Sequence, residues 1–205
     1  MTKERLYIFD TTLRDGAQTQ GVHFSLDEKI KIANDLDNLG VDYIEGGWPG
    51  ANPTDTEFFQ KNPKLKNSSF TAFGMTKKTG RSAENDPGLA AILNSNTSSV
   101  CLVGKSWDFH VDVALGISNK ENLENISETT KHFVKNNKEF MFDAEHFFDG
   151  YKSNPKYALE CLKAAYDNGA KWIVLCDTNG GTLPHEVSKI VKEVIEHIPG
   201  KNLGI

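Results

Sequence analysis

Cysteine is scarce in this 205-residue sequence, where Cys101, Cys161 and Cys176 are the only three. They are too few and too widely spaced for a disulfide framework or a CxxC metal knuckle, and two lie inside apolar strand-like runs, so buried reduced thiols are expected. Long apolar runs are missing as well. None approaches the roughly 18 residues of a membrane-spanning helix, and the start, "MTKERLYIFD", carries charge where a secretory leader is apolar. A cytoplasmic protein with no membrane partner is expected. Positive charge is also in short supply, with 23 Lys and Arg against 28 Asp and Glu. The lysines are scattered, so no basic stripe is available to neutralise phosphates, and nucleic acid is not expected as a partner. There is no GxGxxG after the first apolar run, no P-loop, no GxSxG elbow and no HExxH among the six histidines.

What is present is an ordinary soluble composition, 38% apolar and 25% charged, in a length that suits one domain or part of a larger one. Short apolar runs recur, each closed by polar residues or glycine: "RLYIFD", "VDYIEGG", "SFTAFG", "SSVCLVG", "KEFMFDAE", "KWIVLCDTNGG" and "NLGI". Segments of helical period lie between them. Ser25 and Glu28 have capping-box spacing ahead of an apolar stripe of Ile30, Ala33 and Leu36 that Gly40 ends, and Ser118 with Glu121 repeats the spacing. Asn154 with Pro155 opens another helix that ends near Gly169, "LPHEVSKIVKEVIEHI" follows from Leu183, and "ENDPGLAAILNS" reads as a shorter one.

Strand and helix in regular alternation predict parallel strands joined by crossovers. An open doubly wound sheet and a (β/α)8 barrel share that alternation, but only in a barrel do all strand ends meet at one mouth. Asp10 to Asp15, Glu45, Lys105, Asp143 with Glu145, and Asp177 to Asn179 each follow an apolar run directly, which favours the barrel. The expected fold class is therefore α/β, a (β/α)8 TIM barrel truncated after about six βα units and the start of strand 7. Residues 1–205 are expected to form the N-terminal part of a single catalytic barrel domain.

Several of these strand ends are candidates for chemistry. In "DTTLRDG", Asp15 offers hard oxygens to a divalent cation and Arg14 can stabilise developing negative charge, though an ordinary loop ion pair fits the same residues. In "FDAEHFFDG", strand alternation puts Asp143 and Glu145 on one face, suited to acid or base work or simply to solvent, and turns His146 away as a structural or surface histidine. In "LCDTNGG", Asp177, Thr178 and Asn179 serve either a ligand or a helix-capping turn. In "GKSWDFHV", Lys105 or His110 can reach an anionic substrate, or His110 is structural. "EGGWPGANP" is a rigid loop in which Trp48 either walls a pocket or occupies a plain turn.

Taken together, these segments resemble the metal-dependent Claisen-condensing synthases related to 2-isopropylmalate and homocitrate synthase, (β/α)8 barrels with "DTTLRDG" or a close variant at the first strand. The resemblance covers the whole chain, with "FDTTLRDGAQ", "EGGWPG", "GKSWDFHV", "FDAEHFFDGYK" and "CDTNGGTLP" in order at strand ends. "EGGWPGANPTDTEFF" with "KSWDFHV" is most similar to the members that join acetyl-CoA to pyruvate, acyltransferases of isoleucine and branched-chain amino-acid biosynthesis. The resemblance implies that Arg14 stabilises the enolate or alkoxide oxygen and that Asp15 ligates a divalent metal, Mg, Mn or Zn. It implies Glu145 in acid catalysis or acetyl-CoA handling, Thr178 on the 2-oxo acid carboxylate, and His110, Gln18 and Asp143 at the substrate. Asp143 stands where isopropylmalate synthases usually have serine. The family's other metal ligands are two histidines of an HxH motif on the seventh strand. None of the six histidines forms one, so that pair is expected beyond Ile205.

The resemblance further implies a homodimer for the full-length protein. It leaves 2-isopropylmalate or homocitrate synthase, a retro-Claisen lyase of the same superfamily, and a non-catalytic fragment as alternatives. Residues 1–205 alone are expected to be inactive and poorly soluble, with sheet edges and part of the core face uncovered.

Overall fold

The structure, a computed structural model, describes residues 5–205. Met1 to Glu4, the first part of the polar start, lie outside the described residues. Strands β1 (Phe9–Asp10), β2 (Tyr43–Gly47), β3 (Ser69–Met75), β4 (Ser99–Lys105), β5 (Glu139–Glu145), β6 (Trp172–Leu175) and β7 (Leu203–Gly204) alternate with helices. The helices are α1 (Leu26–Leu39), α2 (Pro53–Lys61), α3 (Pro87–Leu93), the single turn α4 (Asp108–His110), α5 (Asn119–Lys135), α6 (Phe147–Ser153), α7 (Pro155–Tyr166) and α8 (Pro184–Val194). The sheet takes its strands in chain order, and β1–β2, β2–β3, β5–β6 and β6–β7 pair in parallel. This is the α/β fold of a (β/α)8 TIM barrel carried through seven strands, in agreement with the sequence. No helix among the described residues is long and apolar enough to cross a membrane.

By contacts the chain divides into two compact units, Met1–Gly74 with Pro87–Cys101 and Met75–Asp86 with Leu102–Ile205. In the first, α1 and α2 pack on each other and on β2. Phe58, Phe59 and Phe70 pack ring on ring, with centroids 5.1 Å apart for Phe58–Phe70 and 4.8 Å for Phe59–Phe70, beside buried Ile44, Ala72 and Ile92. The apolar start of the sequence yields only a two-residue β1. Ile8 gives its amide to the Asp42 carboxylate at 2.9 Å, and its carbonyl takes the amides of Asp42 and Tyr43.

Helix α1 opens on the expected capping box, Glu28 N–H to Ser25 Oγ at 3.3 Å and Ser25 N–H to the Glu28 carboxylate at 2.8 Å. Its fully buried face differs from the expected stripe: Lys29, Ala33 and Asp37 are buried, while Ile30 and Leu36 are half-buried. The reason is polar. Asp37 accepts the consecutive amides of Lys66, Asn67 and Ser68 at 2.9, 2.8 and 2.8 Å, and Lys29 ties Gly46 of β2 to Asp55 of α2.

In the second unit α5 packs on α7 and α7 on β5 and β6, enclosing Phe133, Phe140, Phe142, Phe147 and Phe148. Ser118 and Glu121 form the second expected capping box, and Asn154 caps α7 ahead of Pro155 by accepting the Tyr157 amide at 3.2 Å. The cysteines are free thiols as expected, Cys101 and Cys161 buried and Cys176 half-buried. Burial pushes the Cys161 thiol up to about 12.

Candidate active site

In the first unit the chain leaves β1 in a tight turn. The Asp10 carboxylate accepts the Thr12 amide at 3.0 Å, and the Thr11 carbonyl collects the amides of Arg14, Asp15 and Gly16 at 3.1, 2.9 and 3.1 Å. The turn buries Leu13 completely and brings Arg14 back over β2. There Arg14 Nε donates to Glu45 Oε2 at 2.6 Å and Nη1 donates to Asp15 Oδ1 at 2.8 Å. The guanidinium carbon lies 3.9 Å from the centre of the Phe73 ring, so two carboxylates and a π face hold one cation.

Glu45 is fully buried, whereas the Asp15 side chain is 62% exposed. The sequence marked Glu45 only as one strand-end carboxylate among others; its pairing with Arg14 spans 31 residues, which no local pattern reveals. Gln18 lies exposed on the 3-10 turn Gly16–Gln18. An accessible carboxylate with hard oxygens, already beside a cation, suits Asp15 to be one ligand of a divalent metal. A single carboxylate does not make a site by itself.

In the second unit the ends of β4, β5 and β6 come together. The Glu145 carboxylate is ion-paired to Lys105, and the Glu145 carbonyl accepts both the amide and the hydroxyl of Ser106 at 3.1 and 2.7 Å. Asp143 and Glu145 share the half-buried side of β5, opposite buried Phe142 and Ala144, as the alternation predicted. Thr178, exposed after β6, accepts the His146 amide on Oγ1 at 2.9 Å. Asp177 is occupied by the turn itself, taking the Thr182 amide and hydroxyl at 3.1 and 3.0 Å, while Asn179 donates to Asp149 at 2.8 Å.

Of the two expectations for His146, a structural or a surface histidine, the structure favours the first, with the side chain only 12% exposed. The strand ends at Glu145, and His146 takes a left-handed backbone, φ 55° and ψ 34°, so the period of two no longer governs its direction. Its ring lies with its centre 4.2 Å from that of His110, edge to face, and 6.0 Å from that of Trp107. His110 and Trp107 ring centres are 4.7 Å apart. Burial, with the His146 and Lys105 charges, pushes the His110 imidazole below its usual range against the opposing pull of Glu145 and Asp149. The Trp107 indole N–H and His110 Nδ1 are buried with no hydrogen-bond partner among the described residues.

A sequence profile of the HMGL-like family matches residues 5–205. The chain belongs to the HMGL-like family. This HMGL-like chain is 53% identical over 204 residues to the (R)-citramalate synthase of Aquifex aeolicus, covering 98% of the chain and 39% of that protein. It is 32% identical over 195 residues to the 2-isopropylmalate synthase of Lactococcus lactis, covering 95% of the chain and 37% of that protein. The chain thus spans about two fifths of the length of the curated relatives it matches. Among solved structures, the HMG-CoA lyase of Bacillus subtilis superimposes with a TM-score of 0.81 at 18% identity, over 98% of this chain and 67% of that one. At that identity the likeness establishes the shared fold.

Proposed function

We propose that the full-length protein carrying this HMGL-like chain condenses acetyl-CoA with pyruvate and water to give (R)-citramalate and CoA. It would be an acyltransferase of isoleucine biosynthesis acting in the cytoplasm as a homodimer, with residues 1–205 the N-terminal part of its catalytic barrel domain. The observation that carries the reading is the immobilised Arg14. A guanidinium fixed by Glu45 and laid on Phe73 meets charge developing on an enolate or alkoxide oxygen without reorganising, which is where electrostatic catalysis gains most. The identity to (R)-citramalate synthases over nearly the whole chain supports the substrate pair.

A divalent cation, when bound, supplies Lewis-acid polarisation of the 2-oxo acid carbonyl; Asp15 would hold it, with two histidines of an HxH motif expected beyond Ile205. The chain's own groups do the rest. Because Thr178 Oγ1 accepts from the His146 amide, its hydroxyl hydrogen is turned elsewhere and suits a substrate carboxylate oxygen. Glu145, steadied by Lys105, would give or take a proton on the acetyl-CoA side. His110, Gln18 and Asp143 would line the 2-oxo acid.

Thiol release from acetyl-CoA by the full-length protein tests the reading, with pyruvate set against 2-oxoisovalerate and 2-oxoglutarate. Preference for pyruvate is expected, with loss of activity on chelation and in Asp15→Asn. Preference for the branched acid would make the protein an isopropylmalate synthase instead.

A further inference from the structure

We infer that the buried Lys29–Asp55 ion pair is a positioning device for Arg14, acting through a bulge in β2; this rests on the reading of Arg14 as the group that meets substrate charge. Glu45 stands opposite Thr71 and Gly47 opposite Ala72, so Gly46 is an extra residue in β2. A bulge takes backbone groups out of the ladder and re-aims the neighbouring side chain. Here the displaced groups are taken up by a single ion pair. Lys29 Nζ, on a residue only 3% exposed, donates to the Gly46 carbonyl at 2.9 Å and is paired with Asp55 Oδ1. The other Asp55 oxygen accepts the Trp48 amide at 2.9 Å, and the Asp55 amide is held by Asn52 Oδ1 at 2.8 Å.

The packing around the bulge leaves no slack. A Cβ on Gly46 would lie 2.3 Å from the Phe70 ring, and one on Gly47, whose φ is +142°, 2.5 Å from the Asp55 carboxylate. The two groups that fix the guanidinium adjoin this clamp on either side. Glu45, immediately before the bulge, takes Arg14 Nε at 2.6 Å. Trp48, just after it, meets Phe73 edge-on with ring centres 5.6 Å apart, and Arg14 lies on that same Phe73 ring. An apolar pair in place of Lys29 and Asp55 would fill the volume but leave the Gly46 carbonyl and the Trp48 amide without these partners, which accounts for charge being buried here.

The test is a double-variant cycle in the full-length protein, using whichever 2-oxo acid the unmodified enzyme turns over. Lys29→Met and Glu45→Gln are made singly and together, and kcat per folded site and KM for acetyl-CoA are measured. Each single change is expected to lower kcat about 10- to 100-fold with KM for acetyl-CoA unchanged. The double variant is expected to be no slower than the slower single, because both act through Arg14. Losses that multiply in the double variant, or a Lys29→Met protein that is folded to a smaller extent but keeps its kcat per folded site, overturn the inference. Asp55→Asn, which keeps the side-chain shape, carries the same cycle where Lys29→Met fails to fold. If the unmodified protein turns over no 2-oxo acid, the proposed function falls, and a crystal structure of the Asp55→Asn protein decides the inference alone. Glu45 and Arg14 displaced from each other are expected; both unmoved would refute it.

Discussion

At the scale of single residues, Arg14 shows how much the shape of a charge matters. Arg14→Lys keeps the charge but cannot both donate through Nε to Glu45 and lie flat on Phe73. Steady-state kinetics of the full-length variant are expected to show kcat per folded site lowered by about 10²- to 10³-fold. His110 sets a pH dependence. Its imidazole is held below the ordinary value of 6.5, first by burial and then by the His146 and Lys105 charges, so the unfolded chain takes up that proton before the folded one does. The stability linked to this group is present above that ordinary value and lost as pH falls through it. Melting curves recorded from pH 7.5 to 5 should therefore fall less steeply for His110→Asn than for the unmodified protein. The ion pair of Arg14 with Asp15 was legible because a strand end crowded with charge is a local pattern. The Glu45 pairing and the direction of the His146 ring were not, since one depends on a partner in a different strand and the other on a single left-handed backbone residue.

At the scale of elements, helix starts were the most legible features. Ser25 with Glu28 and Ser118 with Glu121 close real capping boxes, because a cap needs only residues three apart. Ser118→Ala is expected to cost about 1 kcal/mol in urea unfolding. The buried face of α1 was misjudged because apolar periodicity counts Ile30 and Leu36 and ignores Lys29 and Asp37. Charges at those two positions are buried because backbone groups need partners there, the Gly46 carbonyl of β2 for Lys29 and the Lys66 to Ser68 amides for Asp37. Asp37 is held below the usual carboxylate range: burial raises its pKa, but the amides of Lys66, Asn67 and Ser68 together outweigh it. Asp37→Ala is expected to destabilise by about 1.5 to 3 kcal/mol, and the Lys66 to Ser68 amides to lose hydrogen-exchange protection.

At the scale of the whole molecule, the alternation of strand and helix carried the fold class, and seven strands in chain order match it. The reaction is less legible, since the matching relatives carry two different names, (R)-citramalate synthase and 2-isopropylmalate synthase, and the chain spans about two fifths of their length. Under the proposed metal site, residues 1–205 hold only Asp15 of the ligand set, so the purified piece is expected to release no thiol from acetyl-CoA with pyruvate under conditions where the full-length protein does. Turnover by that piece would count against the proposed metal site. The close packing at two strand ends also bears on how a mutational scan of this protein would look. Gly74 and Gly104 each stand one residue before the end of their strand, where an added methyl would lie 2.1 Å from Ile92 Cδ1 and 2.7 Å from the Phe142 ring. Neither codon can drift even to alanine without moving a core side chain. In a mutational scan alanine would therefore score worse at Gly104, against the rigid Phe142 ring, than at Gly181, where a Cβ meets nothing within 4 Å, and that intolerance would report packing and not chemistry.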